Sequence, residues 1–234
     1  MRASHFLYYE GMTADPIEFR DAFAERFGPA LASLVGVRSV LLYTQGDYDD
    51  PYLDDDPGPF LLCRTEFDSV GALMAALEAN AGALNFGESE GLPVYEGSVS
   101  DEIMVGHQYP TASDAWGRDP LGVVSYFVAY PNTAGDRDDF LGYYTSHHPA
   151  LLGQLPGIRA TILHEPTDIS APLGLIRADH MLICDVSFDT LDALNASLLS
   201  DVRKKLREDY QQFPPFTGDP VHSAMLANRF DVQL

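Results

Sequence analysis

"LLCRTEFDSVGALMAAL", residues 61–77, and "LICDVSFDTLDALNASL", residues 182–198, are one segment written twice. The offset of 121 positions aligns Cys63 with Cys184, Phe67 with Phe188 and Leu77 with Leu198. Held fixed, it also pairs "LVGVR" (34–38) with "LPGIR" (155–159), Phe6 with Phe127, Tyr9 with Tyr130, Asp15 with Asp136, Phe19 with Phe140 and Met104 with Met225. Roughly two dozen identities without a gap mark an internal duplication. Each copy is of ordinary domain size. The expected boundaries are 1–110 for the first copy, 111–121 for a Pro-, Gly- and Ser-containing linker with the only tryptophan, Trp116, and 122–234 for the second copy.

Working outward from the repeated segment, the second copy is the easier to read. "GVVSYFVAYP" (122–131) is a β-branched and aromatic run closed by proline, hence a strand. The mostly acidic stretch from Asp136 to Asp139 opens a helix, Phe140, Tyr144, Leu151 and Leu155 recur at helical spacing, and Pro156-Gly157 stops it. Strands are expected at 158–165, 180–188 and 221–230, with a long loop over 166–179 and one second helix running from Asp189 or Thr190 through "LRED". The first copy repeats the order, with strands at 4–10, 37–44, 59–67 and 98–107 and helices at 16–34 and 69–80. The fold class is therefore α+β: two tandem ferredoxin-like βαββαβ domains. Helices cover only one face of each sheet. The other face alternates apolar residues that must also be buried, so the two sheets are expected to pack face to face, as two chains would in a homodimer.

Composition narrows the class of function. The chain has 234 residues, 46% hydrophobic and 21% charged, with a formal net charge of −21. That charge repels phosphate backbones and anionic membranes, so neither nucleic acid nor membrane is an expected partner. No apolar run is long enough to span a bilayer, and the N-terminus lacks the apolar core of a signal peptide, so a cytoplasmic protein is expected. The two cysteines occupy one repeat position, which reads as a small buried residue rather than a nucleophile.

The stretch "YYTSHHPALLGQLPGIR" (143–159) carries the candidate chemistry. With the helix centred on Phe140, Tyr144, Leu151 and Leu155, His147 and His148 border the buried stripe on opposite sides. The aromatic pair Tyr143-Tyr144, the pair His147-His148, then Pro149, Leu151, Leu155-Pro156-Gly157 and Arg159 resemble the motif of the EthD-like family of dimeric α/β barrel proteins. The first copy departs from that motif, with Arg26-Phe27 in place of the histidines. The resemblance implies a helix–sheet pocket in the second copy and singles out His148. It implies no single reaction, since related proteins include isomerases, cyclases, dehydratases, cofactor-free monooxygenases and haem-binding members.

The expected site is thus His148 as general acid or base, with His147 or Tyr143 holding a substrate oxygen. Tyr126, Tyr144, His164, Asp185 and His222 are the candidate substrate-binding residues. Tyr144 also fits the core stripe, and Asp185, whose repeat partner is Arg64, reads either as a solvated strand residue or as one orienting a histidine. His164, expected on the strand face of Ile158 and Ile162, has Tyr43 as its partner. No HExxH spacing or EF-hand order occurs, so no metal site is assigned. The acidic run "DYDDPYLDDDPGP" (47–59) reads as a solvated, mobile loop over the cleft. GxGxxG, Walker, GxSxG and CxxC motifs are absent, and no cofactor is expected. The leading expectation is proton-transfer chemistry on a small aromatic, lactone or polyketide-like substrate: isomerisation, cyclisation, dehydration or lyase activity. A cofactor-free monooxygenase of phenols, a haem protein and a non-catalytic ligand-binding or stress-response protein remain open, as does a homodimer of the fused chain.

Overall fold

The computed structural model describes residues 2–53, 58–112 and 123–230. Trp116, and with it most of the expected linker, lies outside the described residues. The first copy comprises β1 (Arg2–Thr13), α1 (Pro16–Ala32), β2 (Val37–Gln45), β3 (Leu61–Phe67), α2 (Val70–Asn80) and β4 (Tyr95–Tyr109). The second comprises β5 (Val124–Pro131), α3 (Arg137–Leu152), β6 (Ile158–Pro166), β7 (Ile176–Arg177), β8 (His180–Phe188), α4 (Leu191–Leu198), α5 (Asp201–Tyr210) and β9 (Val221–Phe230). The βαββαβ order holds twice. Two features differ from expectation: the loop over 166–179 contains the short β7, and the last helix is broken, with Ser200 in extended conformation between α4 and α5.

The same local devices start the same elements in both copies. Asp15 accepts hydrogen bonds from the Ile17 and Glu18 amides, and its counterpart Asp136 accepts from the Asp139 amide. Ser69 and its counterpart Thr190 cap α2 and α4 in the same way. These caps satisfy amides that the first helical turn leaves without partners.

Each copy folds into a four-stranded antiparallel sheet, β4-β1-β3-β2 in the first and β9-β5-β8-β6 in the second. The sheets face each other and are also joined along both edges, β2 to β9 and β4 to β6, closing an eight-stranded antiparallel barrel. Closure removes the open edges that would otherwise invite pairing with other chains. The short β7 adds in parallel to β4. The β1–β4 ladder runs as far as Thr13 and Tyr95. There Gly11 (φ +102) faces Gly97 (φ +156), and a Cβ on either would lie about 2 Å from the opposite carbonyl oxygen, so only glycine fits.

The two-residue period of the strands separates three cores. Helix-facing residues pack under α1 and α2 around Phe19, Phe23, Phe27 and Phe86, and under α3 and α4 around Tyr130, Phe140, Tyr144 and Phe188. Cys63 and Cys184 belong to these two layers, and burial pushes each thiol up to about 12. The third core fills the bore of the barrel, with Phe6, Leu41, Tyr43, Leu62, Phe127, Ile183 and Met225.

Two expected site residues turn out to lie in that bore. Asp185 is not solvated, and its hydrogen bond goes to an arginine instead of a histidine: it is 2% exposed and accepts from Arg64 Nη1 at 2.7 Å. Residues 64 and 185 hold the same repeat position, so the pair meets on the approximate twofold axis relating the copies. His164 is also inside, its ring edge-on to Phe6 with centroids 4.9 Å apart. The simple alternation that put it on the face of Ile158 fails because a β-bulge between Ile158 and Ala160 shifts the phase. Ile158 consequently packs under the helices.

Candidate active site

The buried stripe of α3 is Phe140, Tyr144, His148 and Leu152, four residues apart at each step. This differs from the expected stripe by one position at its C-terminal end. His148 is therefore central and buried, not marginal, whereas His147 is rotated out. His147 is exposed, donates from Nδ1 to the Tyr143 carbonyl oxygen at 3.0 Å and stacks on the Tyr143 ring. Tyr144 is 1% exposed and belongs to the core.

His148 lines a cavity of about 280 Å³ between α3, α5 and the sheet of the second copy. Tyr126, Val128 and Tyr130 of β5, Val186 and Phe188 of β8, and His222 of β9 form the sheet wall. Leu206, Tyr210 and Arg203 of α5 form the opposite one. Of the expected residues, the fold thus brings together His148, Tyr126 and His222. His147, Tyr143, Tyr144, His164 and Asp185 do not line this cavity. Tyr143 touches the site indirectly, its hydroxyl donating to Asp209 Oδ1 at 3.4 Å.

Asp209, on α5, is the partner that sequence reading missed. Its Oδ2 lies 2.8 Å from His148 Nδ1. Burial is the largest influence on the His148 imidazole and lowers its pKa below the ordinary value of 6.5, against the upward pull of Asp209. The hydrogen bond from His148 in turn holds the Asp209 carboxyl below its ordinary value. Near neutral pH the imidazole is then uncharged, with Nδ1–H committed to Asp209. This fixes the tautomer and leaves Nε2 as a base at the cavity wall.

The break before α5 creates this arrangement. Released from α4, the helix turns to pack against α3, which brings Asp209 under His148. The ten equivalent positions of the first copy, "NAGALNFGES" (80–89), carry two glycines and two asparagines where "DVRKKLREDY" (201–210) is rich in helix formers. Those first-copy positions form turns after Asn80, and Phe86 fills the space against Phe27, the counterpart of His148, with ring centroids 4.8 Å apart. Among the described residues the first copy has its cleft filled with aromatic rings.

The loop between β2 and β3 crosses from the first copy onto the cleft of the second, as expected for the acidic run, but Asp50 is not solvated. Its Oδ2 accepts from Arg203 Nη2 at 2.8 Å, Arg203 Nε at 3.1 Å and the Tyr126 hydroxyl at 3.1 Å. Tyr52 and Leu53 complete the roof. Residues 54–57 lie outside the described residues. No group of three His, Cys, Asp or Glu side chains suited to a metal occurs among the described residues, and His164, His180 and His222 do not converge. No described helix is long and apolar enough to cross a membrane.

No protein-family model matches this chain, and no curated protein sequence does. Solved structures do. An anthrone oxidase-like protein superposes with a TM-score of 0.64 at 16% identity, covering 97% of this chain and 91% of that one. A candidate monooxygenase from Fusobacterium nucleatum gives 0.60 at 9% identity, covering 97% and 93%. Another from Lactobacillus acidophilus gives 0.52 at 11% identity, covering 97% and 95%. At such identities the likeness concerns architecture. The chain has the dimeric α/β barrel fold, with both halves carried in one polypeptide.

Proposed function

We propose that this protein is an oxygenase of small, electron-rich aromatic substrates, of the phenol or anthrone type, in which His148 is the base. The observation that carries the reading is the His148–Asp209 dyad on the wall of an apolar cavity. His148 Nε2 takes a proton from an acidic O–H or C–H of the substrate. The resulting anion is oxidised by dioxygen, forming a C–O bond. The peroxide accepts the proton back from His148. Loss of water then breaks the O–O bond and leaves a carbonyl: one oxygen atom stays in the product and one leaves as water. Tyr130 and Leu206 would exclude solvent, and the Asp50–Arg203 roof would close the site from above.

The names of the structurally similar proteins favour this oxygen-dependent branch over isomerisation, cyclisation or lyase chemistry, which the same dyad would run by returning the proton to another atom. The EthD-like affiliation of the second copy rests, within this proposal, on the motif from Tyr143 to Arg159. The cavity is at the small end for ligand sites and suits a few fused rings.

The test is oxygen uptake with anthrone or a simple phenol, above the spontaneous rate. His148→Phe installs the residue of the first copy and is expected to fold while losing turnover. Full turnover in that variant refutes the assignment. Product formation without oxygen consumption would replace the oxygenase by the isomerase reading, and a Soret band on haem addition would reopen the haem one.

A further inference from the structure

We infer that the bore of the barrel is a second ligand site, separate from the cleft, which takes a small, uncharged, largely apolar molecule with one acceptor oxygen directed at His180. An eight-stranded barrel has just enough room for its own side chains or for one small ligand. Here one end of the bore is packed by Arg64, Asp185, Tyr43 and His164, and the other opens into a cavity of about 490 Å³.

The duplication explains the opening. On one wall stand Tyr8, Glu102 and His180; the counterparts of these positions are Ala129, Ser223 and Pro59. All three small counterparts line the cavity, together with Tyr8 and His180. A symmetric barrel would carry the bulky set twice and leave no space. This chain carries it once.

The bulky set is a built polar group. The Tyr8 hydroxyl and His180 Nδ1 both donate to Glu102 Oε1, each at 2.6 Å, and Glu102 is buried, as is its Oε2, which has no hydrogen-bond partner among the described residues. Burial alone would lower the His180 pKa, but the hydrogen bond and charge of Glu102 prevail and raise it. In the protonated form that the buried Glu102 carboxylate favours, Nδ1–H is held by Glu102 and Nε2–H is the donor left to the cavity. The other described charges acting on this group, Glu10, Asp101 and Asp179, are acidic like Glu102 itself, which disfavours an anionic ligand. Phe6, Leu62, Phe127, Ile183 and Met225 supply apolar walls.

Among the described residues, none lines both cavities. Tyr126, Val128 and His222 face the cleft, while Phe127, Ala129, Val221 and Ser223 of the same strands face the bore. The inference is independent of the chemistry proposed for the cleft.

The experiment is a titration of the protein, labelled with ¹³C at the methionine methyls, with acetophenone. The Met225 methyl is expected to shift saturably, while Met181 and Met74, on the helix side of the sheets, stay in place. His180→Leu should weaken the titration by about 3- to 10-fold, the worth of one net hydrogen bond. Ala129→Tyr, which restores the symmetric residue, should abolish it, and His148→Phe should leave it unchanged. An unmoved Met225 in the wild-type protein overturns the site without reference to any variant. A Met225 response that survives Ala129→Tyr, or that disappears with His148→Phe, overturns it as well.

Discussion

Asp50 ties a loop of the first copy to both walls of the cleft: it anchors Arg203 of α5 and the Tyr126 hydroxyl of β5 through a single carboxylate oxygen. Its side chain is 1% exposed and that of Arg203 is 12%. Breaking a fully buried pair by removing one partner costs about 3–5 kcal/mol. Asp50→Asn strands an arginine at the cavity rim, where water reaches part of it, so the expected loss is about 2–3 kcal/mol. Arg203→Met strands the deeper carboxylate and should cost more, about 3–5 kcal/mol. For a chain of this length each kcal/mol moves Tm by about 2–4 °C, giving drops of roughly 4–12 °C and 6–20 °C. Asp49→Asn, one residue away and exposed, is the control and should fall within about 0.5 kcal/mol of wild type. The assay is thermal or urea unfolding at pH 7, with the double variant included to measure coupling. Asp50→Asn matching Asp49→Asn, or strict additivity in the double variant, refutes the buried latch.

Asp209→Asn should lower kcat/KM by about 10²-fold or more while leaving the cavity intact, because the base loses its fixed tautomer; steady-state kinetics on the substrate found by oxygen uptake checks this. Burial holds the folded His148 and His164 below 6.5, so the unfolded chain binds more protons as the pH falls through that value, and stability from these groups is lost on acidification below 6.5. His164→Leu should therefore show a shallower fall in Tm between pH 7 and pH 5 than wild type. Cys63 and Cys184, with thiols pushed up to about 12 and buried, should be inert to a thiol reagent in the native protein and should both react after unfolding.

The barrel was legible in the sequence because the fixed offset from Cys63 to Cys184 repeats every element, and an alternating strand with helices on one side leaves only the other face to bury. Edge-to-edge closure was not legible, since β2–β9 and β4–β6 pairings join residues far apart with no local mark. His148 was found through its motif and through Phe27 in the first copy. Its neighbour was misjudged because the helix stripe ran on to Leu152 rather than turning to Leu151 and Leu155. Asp209 was out of reach for a different reason: it meets His148 only because α5 leaves the axis of α4, and a one-helix reading sends it elsewhere. A faint signal existed, since the counterpart of Asp209 is Glu88, also acidic, which sits 3.7 Å from Arg26, the residue next to the counterpart of His148. Asp185 and His164 were misplaced by a bulge and by a partner, Arg64, that only barrel closure supplies.

The ion pair of Arg64 with Asp185 has a bearing on which chains can assemble with which. Two identical subunits would present this axial position to its own copy, setting guanidinium against guanidinium or carboxylate against carboxylate in a dry interior, at a penalty of several kcal/mol. Gene fusion frees the two sites to become opposites, and the barrel is thereafter self-discriminating. Severed at the junction and mixed, the halves should mate heterotypically, and runaway exchange between like halves of neighbouring molecules is suppressed by charge alone.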